Sequence, residues 1–468
     1  MRQCLTNPDG GYYTTSRPFA DSADQFGTAG DFITSPEISQ VFGELVGIWF
    51  MTEWMAQGRP KNGVQFIEMG PGRGTLISDI LRTIGQFPTF ANAIQAVWLV
   101  EAGSGLRMKQ KDLLCGEEAQ MKEMADEAGK NKWWEATSKQ GIPVRWVEDI
   151  VLLPRNGDQA SMPFIIAHEF FDALPIHAFE SIPPKSDAQQ QQQQQQEKGD
   201  LQTSSNDGQA ISKSSAASKL PQWRELLVAP TNPKFDFPSP SDTKKVDEMK
   251  EPEPDFQLTL AKASTPRSLV IPERPRYRAL KSQTSSRVEI SPESSRYVQD
   301  FAQLIGGGNR KSSSHQKTSK PSGAALIIDY GPLDTVPVNS LRGIRKHKII
   351  SPFVYAGDAD ISADVDFEAL ADTALEASPG VEVHGPVEQG MWLSQLGIQE
   401  RVQRLIKSVE KDNSGDELEK KRRELEAGWK RLVEGGPKGM GKAYKVMTIV
   451  PENGGKRRPV GFGGGVVS

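Results

Sequence analysis

Apolar residues fall in two kinds of run along this chain. Short continuous runs end at a turn signal or an acid: Val64 to Met69, Ala96 to Val100, Pro143 to Val147, Pro163 to Ala167 and Ala324 to Ile328. Runs of this length predict strands buried on both faces, as in a parallel sheet. Between them lie helical spacings: Ile38, Val41, Phe42, Leu45 and Trp49; Leu76, Ile77, Ile80 and Leu81; Leu106 to Leu114; and Tyr297, Phe301, Leu304 and Ile305. Each predicts a helix with one apolar face. Thr34 or Ser35 supplies a cap for the first, Pro36 suits its opening turn, and Glu37 complements its positive end. Strands and helices in alternation predict a doubly wound α/β sheet.

The pattern lapses in three places. From Pro183 to Leu220 the chain carries eight consecutive glutamines, Gln189 to Gln196, among Ser, Asp, Lys and Gly. That stretch has nothing to bury and reads as disordered. Ile176 to Glu180 before it and Trp223 to Val228 after it read as strands that pair across the interruption. Pro230 to Arg276 is Pro-rich, and Gly306 to Ser322 reads as a linker. The chain therefore divides into an N-terminal helical cap region (1–60), a first part of the core (61–182), the insert (183–220), a continuation (221–305), the linker (306–322), the end of the core with substrate-side additions (323–450) and a flexible tail (451–468).

Composition narrows the function. Of 468 residues, 37% are hydrophobic and 32 are prolines, consistent with a length that is only partly folded. A net charge of −4, with Lys and Arg scattered, argues against nucleic-acid binding. Cys4 and Cys115 provide neither a metal spacing nor a disulfide framework, so no metal is expected. The most apolar stretch, Val41 to Met55, is broken by Glu44 and Glu53 and is too short to span a membrane. The abrupt opening at Met1 reads as a shortened N-terminus, so the absence of a visible transit peptide does not exclude import.

The chemistry centres on the end of the first strand, where Glu68, Gly70, Gly72 and Gly74 form E-x-G-x-G-x-G. Glycines there let backbone approach a ligand. A nicotinamide turn needs Gly or Ala where Thr75 stands, which disfavours an oxidoreductase. The acid suits a cofactor bearing a sulfonium and an ammonium, and the spacing resembles motif I of the class I S-adenosylmethionine (SAM) methyltransferases. Glu101 ends the second strand, where carboxylates accept hydrogen bonds from ribose hydroxyls. Asp149, beside Glu148 after the third strand, lies where such folds contact adenine, although both acids could simply be solvated. The fourth strand delivers Glu169 and Asp172 among aromatics, two acids able to hold a cationic substrate. Asp172 could equally cap the turn into Pro175. Gly30-Asp31-Phe32 is expected to form a loop over the cofactor.

Eight blocks in order resemble one family. They are Gly30 to Glu37, Glu68 to Gly74, Glu169 to Pro175, Asp329 to Gly331, Arg342 to His347, Asp360 to Phe367, Gly385 to Gly390 and Leu396 to Ile398. The chain is similar to the MidA-type family, whose mitochondrial members are complex I assembly factor seven. One departure from the pattern is visible: His168 precedes Glu169, where the family usually has Asn. The resemblance implies a class I, Rossmann-like fold and SAM as cofactor. It implies a type II protein arginine methyltransferase that makes symmetric dimethylarginine on a complex I core subunit in the mitochondrial matrix. Glu169 and Asp172 are then the catalytic candidates. Glu68, Gly70, Gly72, Gly74, Glu101 and Asp149 are the cofactor candidates, and Asp31, Glu37, Asp364 and Asp366 the substrate-binding ones. The alternative is an assembly chaperone that binds SAM without catalysis.

Overall fold

The structure is a computed structural model that describes residues 1–14, 30–31, 33–126, 129–153, 161–184, 220–231, 253–307, 320–412 and 415–464. The glutamine tract and Phe32 lie outside the described residues. The chain forms two compact units. One takes in Met1–Pro175 and Ser291–Ser468, and the other falls within Ile176–Val246 and Pro254–Ile290.

Sixteen strands are described, in chain order. They are β1 (Val64–Met69), β2 (Ile94–Val100), β3 (Lys122–Ala125), β4 (Lys132–Thr137), β5 (Pro143–Val147), β6 (Met162–His168), β7 (His177–Ile182), β8 (Gln222–Pro230), β9 (Phe256–Leu260), β10 (Arg287–Ile290), β11 (Ala324–Tyr330), β12 (Arg342–Arg345), β13 (Lys348–Ile350), β14 (Asp360–Ser362), β15 (Val381–Glu388) and β16 (Tyr444–Pro451). The first unit holds a nine-stranded sheet in the order β15-β16-β11-β6-β1-β2-β5-β4-β3 and a three-stranded sheet in the order β13-β12-β14.

Strands β11, β6, β1, β2 and β5 run parallel, which is what their continuous apolar runs predict. The order reverses at β1, which pairs with β2 on one side and β6 on the other. Its register sets Met69 opposite Val100 and Ala167, so the three strands end level. Crevices at such reversals, outside the carboxyl ends of the strands, are where open α/β sheets bind ligands. The last strand, β16, is antiparallel and slots between β11 and β15, pairing its first residue, Tyr444, with Tyr330. A strand from near the end of the chain thus places a buried tyrosine against His168, at the end of β6.

Both faces of the sheet are covered. Gln40–Ala56 and Thr75–Ile84 pack on one, through Val41, Phe42, Trp49, Ile77 and Ile80. Pro292–Gly306 and Phe367–Ala377 cover the other, through Val298, Phe301, Phe367 and Leu370. The first predicted helix is in fact two, Ser35–Ile38 and Gln40–Ala56. The capping box of Thr34 and Glu37 starts the first, and the extended Ser39, whose hydroxyl accepts the Val41 amide, starts the second.

The tail expected after Pro451 is packed through at least Phe462, where Val460 and Phe462 are buried and Arg457 pairs with the buried Glu53. The Val460 carbonyl accepts the Trp49 indole N–H at 3.0 Å. Glycine-rich composition hid these anchors. The second unit is an antiparallel sheet in the order β10-β7-β8-β9, and β7 pairs with β8 across the glutamine insert as predicted. Among the described residues, no helix is long and apolar enough to cross a membrane.

Candidate cofactor and substrate site

A cavity of about 460 Å³ opens at the level ends of β1, β2 and β6. The glycine turn forms its floor. Gly70 and Gly72 have φ of 58° and 54°, and a Cβ on Gly70 would lie 3.1 Å from the Phe170 ring. Gly74 stands at the cap of the following helix, behind the wall.

Glu68 is buried in that wall. Burial, with Glu101 adding to it, lifts its carboxyl to about 8 even though the Ile77 amide stabilises the charge. Its Oε2 has no partner among the described residues. Glu101 is lifted to about 7 by burial, while the Gly103 amide at 2.7 Å and the Gln110 amide at 3.2 Å hold its two oxygens. Gln110 also donates to the Gly72 carbonyl at 2.7 Å and accepts from Trp146 at 3.0 Å. It ties the glycine turn to the strand-end acid, a role that one glutamine in a helical run does not announce. Asp149 lines the far end, capping the turn Ile150–Leu152, with Arg296 at 3.6 Å. The cavity is of ligand size, it is glycine-floored, and one buried carboxylate oxygen there is unmatched. It fits a cationic nucleoside cofactor.

These acids make a testable link to pH. Unfolded, Glu68 has lost its proton by about pH 5, but folded it keeps it to about 8. Between those values the folded chain binds more protons, so stability falls as pH rises, by up to roughly 1.4 kcal/mol per unit. The melting temperature of the unliganded chain is expected to drop as pH rises from 5 to 8, with Glu68 supplying part of that slope. Glu68→Gln should make the pH 7–8 segment shallower than in the wild type in calorimetric scans. A wild-type curve without that slope would show Glu68 already ionised.

Across the cavity stand His168, the last residue of β6, and Glu169, which follows it. Glu169 has φ 51°, a left-handed backbone uncommon for a non-glycine residue. Burial, followed by the charge of Asp172, raises its carboxyl well above the usual range, and the Tyr444 hydroxyl and Ser35 amide offset part of this. Asp172 lies behind the wall rather than in it, buried, and raised chiefly by burial and then by Asp329 and Asp360.

Asp329, at the end of β11, holds this corner together. One of its oxygens accepts the amides of Phe170, Phe171 and Asp172 at 3.1, 2.8 and 3.3 Å, and the other accepts that of Tyr330 at 2.9 Å. Asp329→Ala strands four amides and is expected to cost roughly 2–4 kcal/mol in urea titrations. A cost below 1 kcal/mol would mean that water takes the carboxylate's place.

Of the four substrate-binding candidates, Glu37 lines the cavity, where it stands 3.3 Å from Arg73. The structure does not bring the other three there. Asp31 accepts the Tyr12 hydroxyl at 2.8 Å and the Lys346 amide at 2.7 Å. Asp364 pairs with Arg342 at 2.6 Å, and Asp366 caps Phe367–Ala377. Their carboxylates are committed to local structure, which spacing alone could not reveal.

An acid-flanked glycine turn, at the reversal of a sheet with an antiparallel strand set near its edge, defines a class I methyltransferase. A family model for S-adenosyl-L-methionine-dependent methyltransferases matches residues 45–387. The human mitochondrial protein arginine methyltransferase NDUFAF7 is 31% identical over 453 residues, 96% of this chain and 79% of that protein. The Drosophila melanogaster homologue is 30% identical over 451 residues, 96% and 80% of the two chains. The chain belongs to this MidA-type, NDUFAF7 family, and its cofactor is SAM. The same fold occurs in a COG1565 superfamily member from Burkholderia thailandensis, crystallised with S-adenosyl-homocysteine. That match has a TM-score of 0.60 and 17% identity, and covers 99% of this chain and 87% of that one.

Proposed function

We infer that this chain is a mitochondrial, matrix-side protein arginine N-methyltransferase that makes symmetric dimethylarginine on a core subunit of complex I and so supports assembly of that complex. The observation that carries the reading is Glu169. It is a buried acid with one unmatched oxygen, in the wall of the cavity that holds the glycine turn. When bound, the cofactor supplies an electrophilic methyl group on a sulfonium. Arginine is a poor nucleophile because its guanidinium stays protonated. A carboxylate pairs with that cation, aims one nitrogen at the methyl group and accepts the proton that leaves as the N–C bond forms. Asp172, from behind, raises Glu169's affinity for that proton. The arginine specificity draws on the names of the relatives, and the symmetric product and the complex I substrate draw on the family resemblance.

The test is to incubate the purified chain with methyl-labelled SAM and arginine peptides from complex I core subunits, followed by amino-acid analysis. Label in symmetric dimethylarginine is expected. Cofactor binding without transfer to any peptide would favour the chaperone reading.

A further inference from the structure

Glu169 is not alone in the cavity wall. His168, the last residue of β6, points its Nε2 to within 3.5 Å of Glu169 Oε1, and neither atom has a hydrogen-bond partner among the described residues. The ring is held in place. It lies parallel to Tyr444, 8° between planes and 6.3 Å between centroids, and tilts against Phe42 at 5.1 Å. Burial depresses its pKa to about 3, so the imidazole is neutral and one ring nitrogen is an acceptor. Buried polar atoms are ordinarily matched, and two unmatched ones side by side in a cavity wall call for a ligand that brings two donors.

We propose that His168 Nε2 and Glu169 Oε1 form a two-point acceptor for one guanidinium, which makes His168 a substrate-contacting residue that selects arginine. This rests on the arginine methyltransferase reading above. A guanidinium offers five N–H groups on a rigid planar fork. It can give one N–H to each acceptor and still present a nitrogen to the methyl donor. An ammonium must use a single nitrogen both to bind and to attack, so two acceptors on it would hinder transfer. A neutral acceptor beside an acid also holds the cation without adding a second charge to a buried corner that already contains Asp172 and Asp329.

The experiment uses the full chain saturated with S-adenosyl-homocysteine, titrated with arginine blocked at both ends. Blocked citrulline, of the same shape but uncharged, and blocked lysine serve as controls. Calorimetry gives affinity, and ¹⁵N-detected imidazole shifts report on the five histidines. Arginine is expected to move one Nε2 resonance, the one missing from His168→Asn, and citrulline to leave it in place. His168→Ala should weaken arginine about tenfold, the loss of one hydrogen bond to a charged group, with S-adenosyl-homocysteine affinity within about twofold. His168→Asn keeps an acceptor oxygen and should recover arginine affinity to within about threefold of wild type. If the alanine variant fails to fold, the wild-type resonance and the asparagine variant still decide the matter. Arginine binding with a silent His168 resonance overturns the proposal and leaves the arginine reading intact. An equal response to lysine makes this an ammonium site and overturns it too. No arginine binding by the wild type overturns both.

Discussion

Glu169→Gln is expected to lower methyl transfer by about 10²- to 10⁴-fold, the usual worth of a positioned base, while SAM affinity stays within about threefold. Glutamine keeps the size and the left-handed turn but can neither accept the proton nor offer a charge to the guanidinium. Stability should hold, because burial already favours the neutral acid in the unliganded chain and glutamine mimics that form. Turnover per folded molecule and melting temperature should be measured together. Near-normal turnover in a folded variant would remove Glu169 from the chemistry and turn attention to Asp172. Asp172→Asn should cost less, since Asp172 lies outside the cavity wall and acts through Glu169. Removing that neighbouring charge lets Glu169 ionise earlier, so the acidic limb of the rate profile should shift to lower pH. A purely structural Asp172 would lower the melting temperature and leave that limb in place.

The second large effect is expected on the cofactor. Glu101→Ala removes the strand-end acceptor for ribose, two charge-assisted hydrogen bonds each worth roughly 1.5–3 kcal/mol. Water replaces part of this, leaving a loss of about ten- to a hundredfold in SAM affinity. The variant also strands the Gly103 amide and frees one N–H of Gln110, which loosens the link to the glycine turn. Gly72→Val should do worse. Gly72 has φ 54°, a conformation that a β-branched residue adopts only under strain, and the new side chain would project where the cofactor lies. Calorimetric titration with SAM measures both, and unchanged affinity in both would remove the cofactor assignment.

What the sequence displayed was mainly local. The runs that became β1, β2, β5, β6 and β11 are apolar on consecutive positions because helices cover both faces of the sheet. The acids that end β1 and β2 were legible for the same reason, since a charge at the end of such a run has few places to be. Non-local features were not. Three of the four amides that donate to Asp329 lie 157 to 159 residues earlier in the chain, and no spacing rule connects them. Tyr444 comes to lie beside His168 only because β16 inserts between β11 and β15. The hairpin of β3 and β4 mixes polar and aromatic residues on a sheet edge and gives no periodic signal. Asp364 and Asp366 look like Glu169 and Asp172 on paper. Packing sets them apart, because the first two meet an arginine and a helix end while Glu169 is left facing open space.

The left-handed backbone at Glu169 bears on how this fold would drift. Glycine is the residue that such a conformation favours, and Glu169→Gly would relax the turn by roughly 1 kcal/mol while deleting the carboxylate in the same step. In the genetic code, glutamate and glycine differ by a single nucleotide. A lineage released from the need to transfer methyl groups would therefore find added stability one mutation away. On the reading proposed above, glutamate at 169 is what selection for chemistry holds against selection for folding.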